Sequence, residues 1–194
     1  MKLRALFIVL FSLWACVSPA GQAVLDEKSL SHTKRAYKAE FLATLSRLMG
    51  KEIDPDDPKA IQAAEAFFAV DAAKSYAFTR IHGMALEFCP DDTALKAAME
   101  RYQSAAKILI ALGEMYYAEG FKFIVGDRTM AKTGRELSDA LNDMLAGIEQ
   151  EYRNATPQEV RDKCHESSNA LTALADFYGG SDAIPAASGD AAPE

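Results

Sequence analysis

The sequence predicts an all-α fold, an up-and-down bundle of four to five helices with one disulfide. Three observations carry that expectation. Apolar residues recur at three- and four-residue steps, and strand-like alternation never runs for more than a few residues. Capping residues, prolines and glycines punctuate those stretches. Two cysteines, Cys89 and Cys164, remain in the body of the chain once Cys16 is assigned to an N-terminal leader. At 194 residues, with 49% apolar and 25% charged residues, the chain suits one domain with a sizeable core.

Residues 1–23 read as a signal peptide. Lys2 and Arg4 form a short positive segment, and Ala5 to Val17 is an apolar run broken only by Ser12. Thirteen helical residues reach about 20 Å, short of the ~30 Å hydrocarbon core, so an export signal fits better than a membrane anchor. Cleavage after Ala20 or Ala23 is possible, and Pro19 and Gly21 favour Ala23. The alternative is lipidation: Leu13-Trp14-Ala15-Cys16 resembles a lipobox, although Trp14 is bulky for its position. The expected location is therefore periplasmic or secreted, with a lipid anchor on Cys16 as the alternative. No later run is apolar enough for a transmembrane span.

The mature domain is expected over residues 24–180. A first helix covers roughly 28–49, with Tyr37, Phe41, Leu45, Leu48 and Met49 inward and Gly50 as its C-terminal cap. Asp57-Pro58 is an N-cap followed by proline at the first helical position. The second helix, 58–88, carries two apolar faces, one with Phe67, Val70 and Ile81 and the other with Ile61, Phe68 and Tyr76, as expected of a central element. Gly83 within it suggests a close helix contact or a kink. A third helix starts near Asp91 or Asp92 and runs to about Glu119, with Leu95, Met99, Tyr102, Ala106, Leu109, Leu112 and Tyr116 in one stripe.

The segment 121–125, bracketed by Gly120 and Gly126, fits either an extra helical turn or an extended connection. The fourth helix is expected over 128–153, or from the capping box at Thr133-Glu136, with Leu137, Leu141, Met144, Leu145, Ile148 and Tyr152 on a single apolar face. Thr156-Pro157-Gln158-Glu159 gives the fifth helix its start, and Gly179-Gly180 its stop. Residues 181–194 are Ala, Ser, Gly, Pro and acid, the composition of a disordered tail.

The two remaining cysteines of an exported chain are expected to pair. Cys89 ends the second helix and Cys164 lies in the third turn of the fifth, so the bond clamps one to the other. The competing reading, a zinc site from His82, Cys89, Cys164 and His165, suffers because adjacent helical residues diverge by about 100°.

Charge and motifs limit function. The full chain carries −7, and loss of Lys2 and Arg4 leaves −9. Phosphates are repelled by such a surface, so neither nucleic acid nor anionic lipid is expected as a partner. No P-loop, nucleophile elbow, zinc-protease motif or haem-attachment motif occurs. His32 reads as solvated, and His82 and His165 have no base-orienting partner at a fixed spacing. The acidic groups Asp54-Pro55-Asp56-Asp57 and Asp91-Asp92 lack the ligand alternation of a calcium loop and read as caps. Tyr116, Tyr117, Phe121 and Phe123 crowd one place, as core filler or as an exposed patch for a partner or apolar ligand.

No catalytic residue, cofactor or metal is assigned. The first expectation is a non-enzymatic envelope protein acting through protein–protein interaction, of adaptor, chaperone or inhibitor type, whose partner is another envelope or secreted protein. The alternative is a carrier of a small apolar ligand in the bundle core. An enzyme using His82 or His165 is the weakest option.

Overall fold

The computed structural model describes residues 27–125 and 127–179. The expected signal peptide with Cys16, and the expected tail over 181–194, lie outside the described residues. Six helices and one hairpin follow in order: α1 (Glu27–Met49), α2 (Pro58–Phe88), α3 (Thr93–Ala105), α4 (Lys107–Glu119), β1 (Gly120–Val125), β2 (Arg128–Thr133), α5 (Gly134–Asn154) and α6 (Pro157–Gly179). The chain is mostly helical, as expected, but neither all-α nor limited to five helices.

The helix starts follow the capping residues. Asp57 Oδ1 accepts from the Lys59 amide, and Asp92 Oδ1 from the Leu95 amide. Those carboxylates satisfy amides that have no partner within the helix, so the acidic groups serve as caps. Both Thr/Glu capping boxes form. Thr133 Oγ1 accepts from the Glu136 amide while Glu136 accepts from the Thr133 amide, and Thr156 and Glu159 do the same. These contacts hold both glutamates below the usual carboxylate range, the backbone bond being the largest cause.

Three expectations are corrected. The helix expected over 91–119 breaks at Ala106 (φ −99°, ψ 15°), although hydrogen bonds continue across it from Ala106 to Tyr102 and from Ile110 to Ala106. No proline or glycine marks that break. Of the two starts expected for the fourth helix, 128 is excluded and the Thr133–Glu136 capping box holds: the helix starts at Gly134, because residues 120–133 form an antiparallel hairpin in the register Gly120↔Thr133 to Val125↔Arg128. Gly120 sits at φ +91°, and a Cβ there would lie 2.4 Å from Lys132 O. A Cβ on Gly134 would lie 2.3 Å from Ala118 O. These two glycines let the hairpin base close onto the end of α4.

Gly83 is the third correction. It has open space around its Cβ position, and α2 runs through it unbroken. The close approach lies at Gly113 of α4 instead, where a Cβ would meet Ala72 O at 2.1 Å and Tyr76 Cβ at 2.7 Å. Small residues on α2 (Ala60, Ala64, Ala69 and Ala72) are buried, so its packed face is mostly alanine. That is why the bulky residues mislead: Phe67 on α2 is 55% exposed and Leu48 on α1 is 80% exposed.

Helices α3 and α6 pack along each other, as do α2 and α4, and these are the two most extensive helix pairs. The larger core cluster joins α3, α6 and the C-terminal part of α2, with Leu95, Tyr102 and Leu171 fully enclosed. The smaller one is centred on Phe68, Ala72, Leu109 and Leu112, with Leu30 and Tyr37 of α1 against it.

Candidate functional site

Cys89 and Cys164 form a disulfide with Cα atoms 6.6 Å apart. Cys89 caps α2, its amide bonded to Ala85 O, and Cys164 is buried in α6. The bond thus clamps α6 to the end of α2. It also occupies both sulfurs, which removes the zinc reading that required them as ligands. Among the described residues no group of three or more His, Cys, Asp or Glu is placed to hold a metal.

The histidines stand in different surroundings. His32 and His165 are exposed. His82 is half-buried near Phe78, its Nδ1 has no hydrogen-bond partner, and burial holds its pKa below the usual value. It therefore favours the neutral imidazole. No carboxylate is seen to orient it.

Two concave regions flank α1. The first is a cleft of about 230 Å³ between α1, α2, α4 and α6. Its walls are largely apolar, with Phe41, Phe68, Leu109, Phe177 and Tyr178 as the main surfaces. One polar pair is built into it. The Tyr37 hydroxyl donates to Asp71 Oδ2 at 2.5 Å, and the Tyr37 ring stands edge-on to Phe68 with centroids 5.0 Å apart. Burial, then the Asp71 carboxylate, push the Tyr37 hydroxyl far above the ordinary tyrosine range, so it stays a donor. Asp71 has Lys74 4.0 Å away on its outer side. At the mouth, Phe177 is 69% exposed, and Phe67 packs on Phe41 with centroids 5.1 Å apart.

The second region is a groove of about 580 Å³ between α1, the first half of α2, the end of α4 and β1. It takes in most of the aromatic crowd noted in the sequence. Phe121 and Phe123 project from the same face of β1 and stack with centroids 4.5 Å apart, and Tyr116 meets both edge-on. Tyr117 instead pairs with Tyr76.

The sequence signalled the aromatic crowd and the disulfide. It missed the cleft, which depends on how α1 lies across α2 and α6, and the pairing of Tyr37 with Asp71, 34 residues apart. No family model matches the chain, and no curated protein or solved structure is significantly similar to it.

Proposed function

We propose that the protein is an exported, non-enzymatic binding protein that holds a small apolar molecule in the cleft between α1, α2, α4 and α6. The observation that carries this is the cleft itself: about 230 Å³ of largely apolar space with one polar pair, Tyr37–Asp71, in its wall. An apolar cavity of about 150 Å³ is enough for benzene, so one ring or a short chain fits. The Tyr37–Asp71 pair offers a fixed point for a single polar group on the ligand. Export is supported by the disulfide, a bond that persists in oxidising compartments. The described residues contain no helix long and apolar enough to cross a membrane. The up-and-down arrangement belongs to the same proposal, supported by the short connections at 50–57, 89–92 and 155–156.

Toluene is a suitable probe. It should raise the thermal midpoint of the purified protein, and Thr44→Trp, which fills the cleft wall, should abolish that rise. An unchanged midpoint with toluene, together with a native mass spectrum free of co-purified ligand, would count against a carrier.

A second reading, engagement of another envelope protein, is favoured by Phe67 and Phe177, two exposed aromatics beside the cleft. It requires a saturable partner whose binding is lost in both Phe67→Ala and Phe177→Ala, while toluene binding persists in Phe67→Ala, the residue that does not line the cleft. A partner bound equally by both variants would contradict it.

A further inference from the structure

The groove on the other flank of α1 differs in character from the cleft. The chain as a whole is acidic, at −7, yet this groove is lined by four cations, Lys34, Arg35, Lys38 and Lys122, and one carboxylate, Glu65. Lys34, Arg35 and Lys38 recur at three- and four-residue steps on α1, which places them on one helix face. Lys122 borders the groove from β1, but alternation along the strand turns its side chain to the face opposite Phe121 and Phe123, so the positive charge over the aromatic floor comes from α1. None of the four takes part in an ion pair among the described residues, whereas Lys132, Arg153 and Lys163 each have a carboxylate within reach. A cluster of like charges carries mutual repulsion that a bound anion relieves.

Beneath the cations lies an apolar floor. The stacked Phe121 and Phe123, with Tyr116 edge-on to both, present flat hydrocarbon toward the groove, and Ile61 extends it on the α2 side. Cations alone would suit inorganic phosphate, and aromatics alone would suit an uncharged apolar molecule. The two together match a molecule that is both. Nucleic acid is disfavoured by the net charge of the rest of the surface.

We propose that this groove is a binding site for an amphiphilic anion, a hydrocarbon body with a carboxylate or phosphate head. The body lies on Phe121 and Phe123, and the head sits among Lys34, Arg35 and Lys38. The site is independent of the cleft, although Phe68 borders both.

Calorimetric titration of the purified protein with decanoate tests it, with decan-1-ol and inorganic phosphate as probes carrying only one half of the chemistry. Decanoate should bind at least roughly tenfold more tightly than either and should weaken as salt shortens the Debye length. The Lys34→Gln/Arg35→Gln/Lys38→Gln variant should lose about tenfold or more in decanoate affinity. Phe123→Ala should lose affinity with an unchanged helical circular-dichroism spectrum. Thr44→Trp, in the cleft, should bind decanoate like the parent chain. Equal affinity for decanoate and decan-1-ol would overturn the proposal, as would a folded triple variant that binds normally. Capture by phosphatidylglycerol vesicles without any decanoate binding would also overturn it, and would point to a lipid surface.

Discussion

The two ends of α2 sit in contrasting surroundings. At its C-terminal end, Cys89 is bonded to Cys164, Phe88 stacks on Tyr152 with centroids 4.7 Å apart, and the α3–α6 pair closes over Leu95, Tyr102 and Leu171. At its N-terminal half, α1 rests on a small cluster around Phe68 and leaves a concave region on each side. Only Thr33 and Leu42 of the 23 residues of α1 are buried. The lesson is a division of labour. Interior packing and the disulfide fix one half, and the thinner packing of the other leaves the two concave regions open.

The largest expected effect comes from removing the clamp. Cys89→Ala/Cys164→Ala opens a loop with a sequence separation of 75. In the chain-entropy model this costs up to about 4–5 kcal/mol. Denaturant unfolding should show it, and toluene binding below the transition should persist, since neither cysteine lines the cleft. Loss of binding in the folded variant would mean that the two halves are not separable.

Gly113→Ala comes next. Its Cβ would lie 2.1 Å from a backbone oxygen of α2, so the α2–α4 contact must open. A cost of about 1–3 kcal/mol is expected by chemical denaturation. A neutral result would show that α4 stands further from α2 than described.

Alkaline pH probes both halves at once. Burial raises the hydroxyl pKa of Tyr102 to about 12, and raises that of Tyr37 further, with Asp71 as the second cause there. Their stabilising effect is complete below the unfolded value near 10 and is lost as pH rises from there toward the folded values. Stability should therefore fall above about pH 10. Tyr37→Phe should reduce that fall, and Tyr102→Phe should reduce it as well. If neither does, the two hydroxyls are more hydrated than their burial implies.

The smallest effect has the opposite sign. Gly83→Ala places a methyl in open space within α2 and should stabilise by about 0.5–1 kcal/mol, read as a rise in the thermal midpoint. Together with Gly113→Ala it separates a glycine that packing requires from one that it does not.

The legible parts of this fold were those written in local chemistry. Asp57, Asp92, Thr133 and Thr156 announce helix starts because a cap needs only residues a few positions away. The disulfide followed from the cysteine count. The hairpin was legible in principle: Gly126-Asp127 between Val125 and Arg128 is a two-residue turn signal. It was obscured because β2 lacks apolar alternation, all six of its residues being exposed. The faces of α1 and α2 were misread for a different reason. Alanines pack closely enough to carry the contact, so Phe67, Leu48 and Met49 were free to stay outside. The cleft could not be read, because its walls come from four helices whose crossing geometry leaves no local trace in the sequence.

Hydrogen exchange resolved along the chain tests the division between the halves most directly. Amides of α3 and α6 should exchange only through global unfolding. Those of α1 should exchange faster, and decanoate should slow α1 and the hairpin while leaving α3 and α6 unchanged. Exchange in α1 as slow as in α6, or protection by decanoate centred on α3 and α6, would contradict it.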